Sequence, residues 1–108
     1  MTVSSLCENG FKALCLSDGD RTVNGVYIGD LLSWVMSSCE SDNIWITIMS
    51  NINVIAVASL TDASAVLLAE GVTLEDDVLA QAQKKGINVL CTEKTAYEAA
   101  LTLAELLQ

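Results

Sequence analysis

The sequence predicts an α/β fold: a mainly parallel sheet of about four strands flanked by helices. Three observations carry this expectation. Extended and helical patterns alternate along the chain. The runs Ile44–Ile48, Ala65–Ala69 and Ile87–Cys91 read as predominantly apolar rather than alternating, as strands covered on both faces do. The segments between them open on cap residues and close on glycine or polar residues, as crossover helices do.

The elements follow in order. Thr2–Glu8 reads as a short helix closed by Asn9-Gly10. Lys12–Leu16 reads as the first strand, followed by the turn Ser17-Asp18-Gly19-Asp20. Val26-Tyr27-Ile28 is a short extended piece outside the main strands. Asp30 reads as the N-cap of a helix with Leu31, Leu32, Val35 and Met36 on one face. Ser37–Asn43 is a polar loop, and the β-branched and aromatic run Ile44–Ile48 is the second strand. Asn51 or Asn53 caps a helix reaching about Leu60, with a strand as the alternative because Val54, Ile55 and Val57 are β-branched. Ala65–Ala69 is the third strand, closed by Glu70-Gly71.

Thr73 caps the next predicted helix, with Asp76 at its third position and Leu74, Val78, Leu79 and Ala82 on one face. Lys84-Lys85 suit the negative end of its dipole, and Gly86 ends it. Ile87–Cys91 is the fourth strand. Thr95 and Glu98 form a capping box for a last helix, with Tyr97, Ala100, Leu101, Ala104 and Leu107 expected to face inward.

Composition narrows the function. With 108 residues, 52% of them hydrophobic, the chain is expected to form a single domain over 1–108 with apolar surface to spare for a partner. A net charge of −9 with five Lys and Arg offers no basic patch for nucleic acid or an anionic membrane. The absence of histidine removes His-based triads and zinc motifs. Cys7, Cys15, Cys39 and Cys91 form no CxxC pair and read as free, mostly buried thiols in a cytoplasmic protein, with no cofactor or metal expected. No GxxxxGK[ST] or GxGxxG occurs.

Candidate site residues follow from the expected sheet. Ligands of open α/β sheets bind beyond the carboxyl ends of the strands, where strand order switches. Those ends would supply Asp18, Asp20 and Arg21 after the first strand, Ser50 and Asn51 after the second, and Thr92 and Lys94 after the fourth. Segments opened by Asn51 and Thr95 would aim free N–H groups there, and Arg21 is a cation able to grip a phosphate. The same residues are ordinary turn and cap formers. Glu75-Asp76-Asp77 suits the first turn of a helix better than catalysis. Trp34 and Trp45 can stack on a planar ligand, or serve as core or interface.

The stretch Asp20-Arg21-Thr22-Val23-Asn24-Gly25-Val26-Tyr27-Ile28-Gly29-Asp30-Leu31-Leu32-Ser33-Trp34-Val35-Met36 resembles the DRTGG domain, in particular its small stand-alone bacterial members. Trp45–Ile48, Asn53–Leu60 and the closing segment from Gly86-Ile87 continue the likeness over nearly the whole chain. The family's name motif is altered here, since Asp20-Arg21-Thr22 is followed by Val23-Asn24-Gly25. The resemblance implies a fold similar to the N-terminal domain of HPr kinase/phosphorylase. It also implies a regulatory or assembly module, often dimeric, without catalytic residues.

The functional expectation is therefore a non-enzymatic, homodimeric regulatory module acting on an unknown protein partner. The alternatives are a nucleotide- or anion-sensing domain and, more weakly, a cysteine-based redox or metal protein.

Overall fold

The computed structural model describes residues 1–108. Five strands and five helices follow in the order α1 (Val3–Cys7), β1 (Lys12–Cys15), β2 (Gly25–Ile28), α2 (Leu32–Ser38), β3 (Asn43–Thr47), α3 (Ile52–Thr61), β4 (Ala65–Leu68), α4 (Asp76–Lys85), β5 (Val89–Cys91) and α5 (Ala96–Leu106), alternating from β2 onward. The sheet order is β1-β5-β4-β3-β2. The pairs β2–β3, β3–β4 and β4–β5 are parallel, and β1 runs antiparallel to β5.

The α/β class and the mainly parallel sheet are as expected, with five strands where about four were expected. Val26-Tyr27-Ile28 belongs to a true edge strand, paired in register with Ile44, Trp45 and Ile46. The parallel strands follow one another across the sheet without reversal. Their crossover helices α2, α3 and α4 therefore share one face, and α1 and α5 cover the other.

This arrangement makes two cores. Trp45, Val66, Leu68 and Val89 point to the α2–α3–α4 side, where they meet Val35, Val54, Ile55, Val57, Ala58, Val78 and Ala82. Ile44, Ile46, Ala65, Leu67 and Leu90 point the other way, against Val3, Leu6, Phe11, Ala99 and Leu103. β3, β4 and β5 are buried along their whole length, as a double-faced sheet requires.

Segment 51–60 resolves as helix, with the Asn51 side chain accepting from the Asn53 amide at 2.9 Å. Its β-branched residues fill the core under the sheet, which outweighs their small helix penalty. Asp30 is not the cap of α2. Its Oδ1 accepts instead from the Thr47 hydroxyl at 2.7 Å and the Ile48 amide at 3.0 Å, so α2 starts at Leu32 without a side-chain cap. Only Val35 of that helix is buried, while Leu31, Trp34 and Met36 are exposed.

α4 starts after Glu75, not after Thr73, and has no side-chain cap. Leu74 is drawn into the core and holds the chain extended up to that point. The predicted Thr95–Glu98 capping box of α5 is present. Its buried face, however, is Ala99 and Leu103, with Tyr97, Leu101 and Ala104 outside. Both faces of α5 carry apolar residues. The small Ala99 lets the helix approach the sheet where the Tyr97 ring could not.

Candidate functional site

The antiparallel β1 divides the expected site in two. Its carboxyl end lies beside the amino end of β5, so Asp18, Asp20 and Arg21 sit at the amino end of the parallel strands. Asn51, Thr92 and Lys94 follow β3 and β5 at the carboxyl end. A first strand parallel to the others would have brought all six together; the short chain from α1 into β1 instead delivers that strand head to tail against β5.

The amino end is a seam of polar side chains. Each crossover helix returns to the sheet through a left-handed residue: Asp42 (φ 67°), Asp62 (φ 58°) and Gly86 (φ 70°). Arg21 reaches two of these returns. Its Nε meets Asp42 Oδ1 at 2.9 Å, and its Nη2 meets Asp62 Oδ1 at 2.8 Å and donates to the Asp62 carbonyl at 2.6 Å. The guanidinium is thus used to tie the β1–β2 connection to the starts of β3 and β4. Asn88, just before β5, donates to the carbonyls of Asp18 at 2.8 Å and Ser64 at 2.9 Å and accepts from the Asp18 amide at 2.8 Å. Asn43 donates to Asn24 Oδ1 at 3.0 Å and accepts from the Glu40 amide at 3.0 Å. Asp20 makes no side-chain hydrogen bond in this seam.

The hydroxyl of Ser41, at 2.6 Å, and then the Arg21 guanidinium hold the Asp62 carboxyl below its ordinary value of 3.8. A depressed carboxylate contributes stability that is present above its unfolded pKa and lost as pH falls through the folded one. Arg21→Met is expected to cost about 1–2 kcal/mol at neutral pH, modest because the pairs are partly solvated. It should also flatten the stability loss of the wild type below about pH 4. Urea midpoints of both proteins at pH 7 and at about pH 3 measure this; equal acid sensitivity would remove Arg21 from the role.

The carboxyl end is knitted by backbone. Glu70 and Gly71 amides donate to the carbonyls of Lys94 and Thr92 at 2.8 and 2.9 Å, and Thr92 Oγ1 accepts from the Lys94 amide at 3.2 Å. Asn51 stands two strand spacings away, about 10 Å across the sheet. Because strand order never reverses among β2–β5, no switch-point crevice opens there. No buried side-chain polar atom lacks a partner. The cysteines are free, and burial pushes the thiols of Cys7, Cys39 and Cys91 up. A thiol held protonated is a weak nucleophile. Trp45 is core, whereas Trp34 is 68% exposed.

The DRTGG domain matches residues 9–106 of this sequence. The chain belongs to the DRTGG domain family. Its fold is similar to the crystal structure of the CBS and DRTGG domains of the regulatory region of Clostridium perfringens pyrophosphatase, complexed with the activator diadenosine tetraphosphate. The TM-score is 0.64 at 15% identity, over 86% of this chain and 41% of that one. The DRTGG chain thus spans less than half of that structure. No curated protein matches the sequence. No helix is long and apolar enough to cross a membrane.

The family's motif acquires a physical meaning in this geometry. Arg21 pins the strand returns, and Thr22 bridges to Thr2. The two positions after it, Val23 and Asn24, carry side chains with work of their own. Val23 is buried in the α1–α5 core, and Asn24 pairs with Asn43. The residues missed by sequence reasoning are Asp42, Asp62, Asn43, Ser64 and Asn88. The signal for Asn88 is a polar residue inside an otherwise apolar strand run, which a buried position tolerates only with partners.

Proposed function

We propose that this DRTGG chain is a cytoplasmic, single-domain, non-enzymatic regulatory module that works as a homodimer and acts on a protein partner. The distribution of exposed apolar side chains carries this reading. Eleven large hydrophobic residues are more than a third exposed, and six of them (Ile28, Leu31, Trp34, Met36, Ile48 and Ile52) fall within β2, α2 and the adjoining ends of β3 and α3. Concentrated apolar surface on a small protein marks an interface. The polar seam is occupied in structural bonds and offers no arrangement of nucleophile, base and oxyanion donors. Placement of a related fold in a regulatory region supports the same class.

Light scattering at micromolar concentration is expected to return twice the chain mass of 11.5 kDa. A monomer mass would overturn the homodimer.

A second reading, nucleotide or anion sensing, is favoured by the capped starts of α3 and α5 at one end of the sheet and by the activator named for the pyrophosphatase region. A thermal-shift screen of nucleotides on wild type and Asn51→Ala separates the two readings: stabilisation lost in the variant supports sensing at that end.

A further inference from the structure

The two edges of the sheet are built differently. β1 carries Lys12 and a register break between Ala13 and Cys15, and α4 packs beside it. Charge, irregularity and cover are the usual means of blunting a sheet edge. β2 has neither the charge nor the irregularity. Gly25-Val26-Tyr27-Ile28 pairs in unbroken register with β3 on one side only and contains no charge and no proline.

The Gly29 amide donates to the Ile46 carbonyl at 3.2 Å, so Gly29 faces β3. By the period of two, the N–H and C=O groups of Val26 and Ile28 face away from the sheet. Helices flank this open edge on both faces. α2 lies on one side with Trp34 exposed; α5, which packs over β2 and β3, lies on the other with Tyr97 and Leu101 exposed.

Charge indicates which occupant fits. From Thr22 to Cys39 the only charged residue is Asp30, in a chain of net charge −9. A basic partner would find little to pair with at this edge, whereas a second copy can approach it without bringing acidic clusters together. The unpaired backbone groups call for another strand, and an identical unguarded strand is supplied by the same molecule.

We propose that two copies join antiparallel through their β2 edges, on a two-fold axis at Tyr27. Val26 of each chain then stands opposite Ile28 of the partner subunit in a hydrogen-bonded pair, and Tyr27 faces Tyr27 of the partner subunit in a closer, non-hydrogen-bonded pair. The result is a continuous ten-stranded sheet with α2 and α5 of both copies meeting across the join. Assembly stops at two because the outer edges are the guarded β1 strands. This inference rests on the homodimer reading and names its surface.

The test is the mass and the amide exchange of three variants beside wild type. Ile28→Lys places a charge at the edge, and Ile28→Pro removes an outward N–H that the β3 ladder does not use. Both are expected to keep the wild-type circular dichroism and to run as monomers, with dimer affinity lowered on the order of a hundredfold or more because each substitution acts on both copies. Leu60→Lys, at an exposed position at the end of α3, should stay dimeric. In wild type, exchange of the Val26 and Ile28 amides should slow as concentration rises through the dimerisation range, a readout that holds even if a variant fails to fold. A dimeric Ile28→Lys, or edge amides that exchange at the same rate at all concentrations, overturns the β2 join while leaving the homodimer intact. A monomeric wild type overturns both.

Discussion

Trp45→Ala is expected to leave a protein that is barely folded. Trp45 is fully buried at the middle of β3 and is the bulkiest side chain in the core between the sheet and α2–α4. Truncating a buried aromatic residue of this kind costs about 3–5 kcal/mol in lost transfer energy and residual cavity. Small domains have only about 5–15 kcal/mol in total. A second loss accompanies the first. The indole Nε1 donates to the Gly29 carbonyl at 2.8 Å, fixing the turn between β2 and α2.

Trp45→Phe separates the two contributions. It keeps a buried aromatic ring but removes the donor together with the pyrrole part of the indole, so it should cost less than the full truncation, about 1–2 kcal/mol. Urea unfolding followed by far-ultraviolet dichroism measures both. If Trp45→Ala unfolds within about 1 kcal/mol of wild type, the core is not organised around this ring.

Asn88→Ala is expected to be the most damaging polar substitution, at about 2–4 kcal/mol. Asn88 is 3% exposed and all its bonds go to backbone. Its loss leaves the Asp18 amide and the Asp18 and Ser64 carbonyls without their partner, and an orphaned buried group costs about 1–3 kcal/mol. The sum is lower than three such penalties because the Asp18 side of the seam is partly open to water. Asn88→Asp should be no better at neutral pH, since it sets a carboxylate against two carbonyl oxygens in place of the amide donors. Two measurements decide the case: the urea midpoint, and hydrogen exchange at the Asp18 amide, which should quicken in Asn88→Ala beyond what the global stability change explains. Unchanged exchange there would mean that the β1–β2 connection is held by other contacts.

These two residues show where sequence reasoning holds and where it stops. Trp45 lies in a β-branched run, and its strand was legible from that run alone. Its choice of face was not. Along a strand covered on both sides, successive side chains enter different cores, and an unbroken apolar pattern does not distinguish them. Asn88 is visible as the polar interruption of a strand, but its three partners are 24 and 70 positions away. The helix starts divide the same way. Asn51 and Thr95 cap where their sequences place them, because a cap bonds to an amide two or three residues on. Asp30 and Thr73 have the right residue type and do not cap. Asp30 is claimed by Thr47 and Ile48 on the neighbouring strand, and Thr73 is displaced by the burial of Leu74.

The sequence by itself determined the α/β class, the three interior strands, the last two helices and the likeness to the DRTGG family, and left segment 51–60 open between helix and strand. All of these rest on local pattern: runs, periods, caps and breakers. Only the tertiary structure decided that β1 enters antiparallel, that β2 forms an unguarded edge, and that Arg21 is tied to Asp42 and Asp62 at the opposite end of the sheet from Asn51, Thr92 and Lys94. Strand direction and order are settled by how the two faces of the sheet are buried together. That burial is a sum over contacts distant in the chain, and no local pattern encodes it.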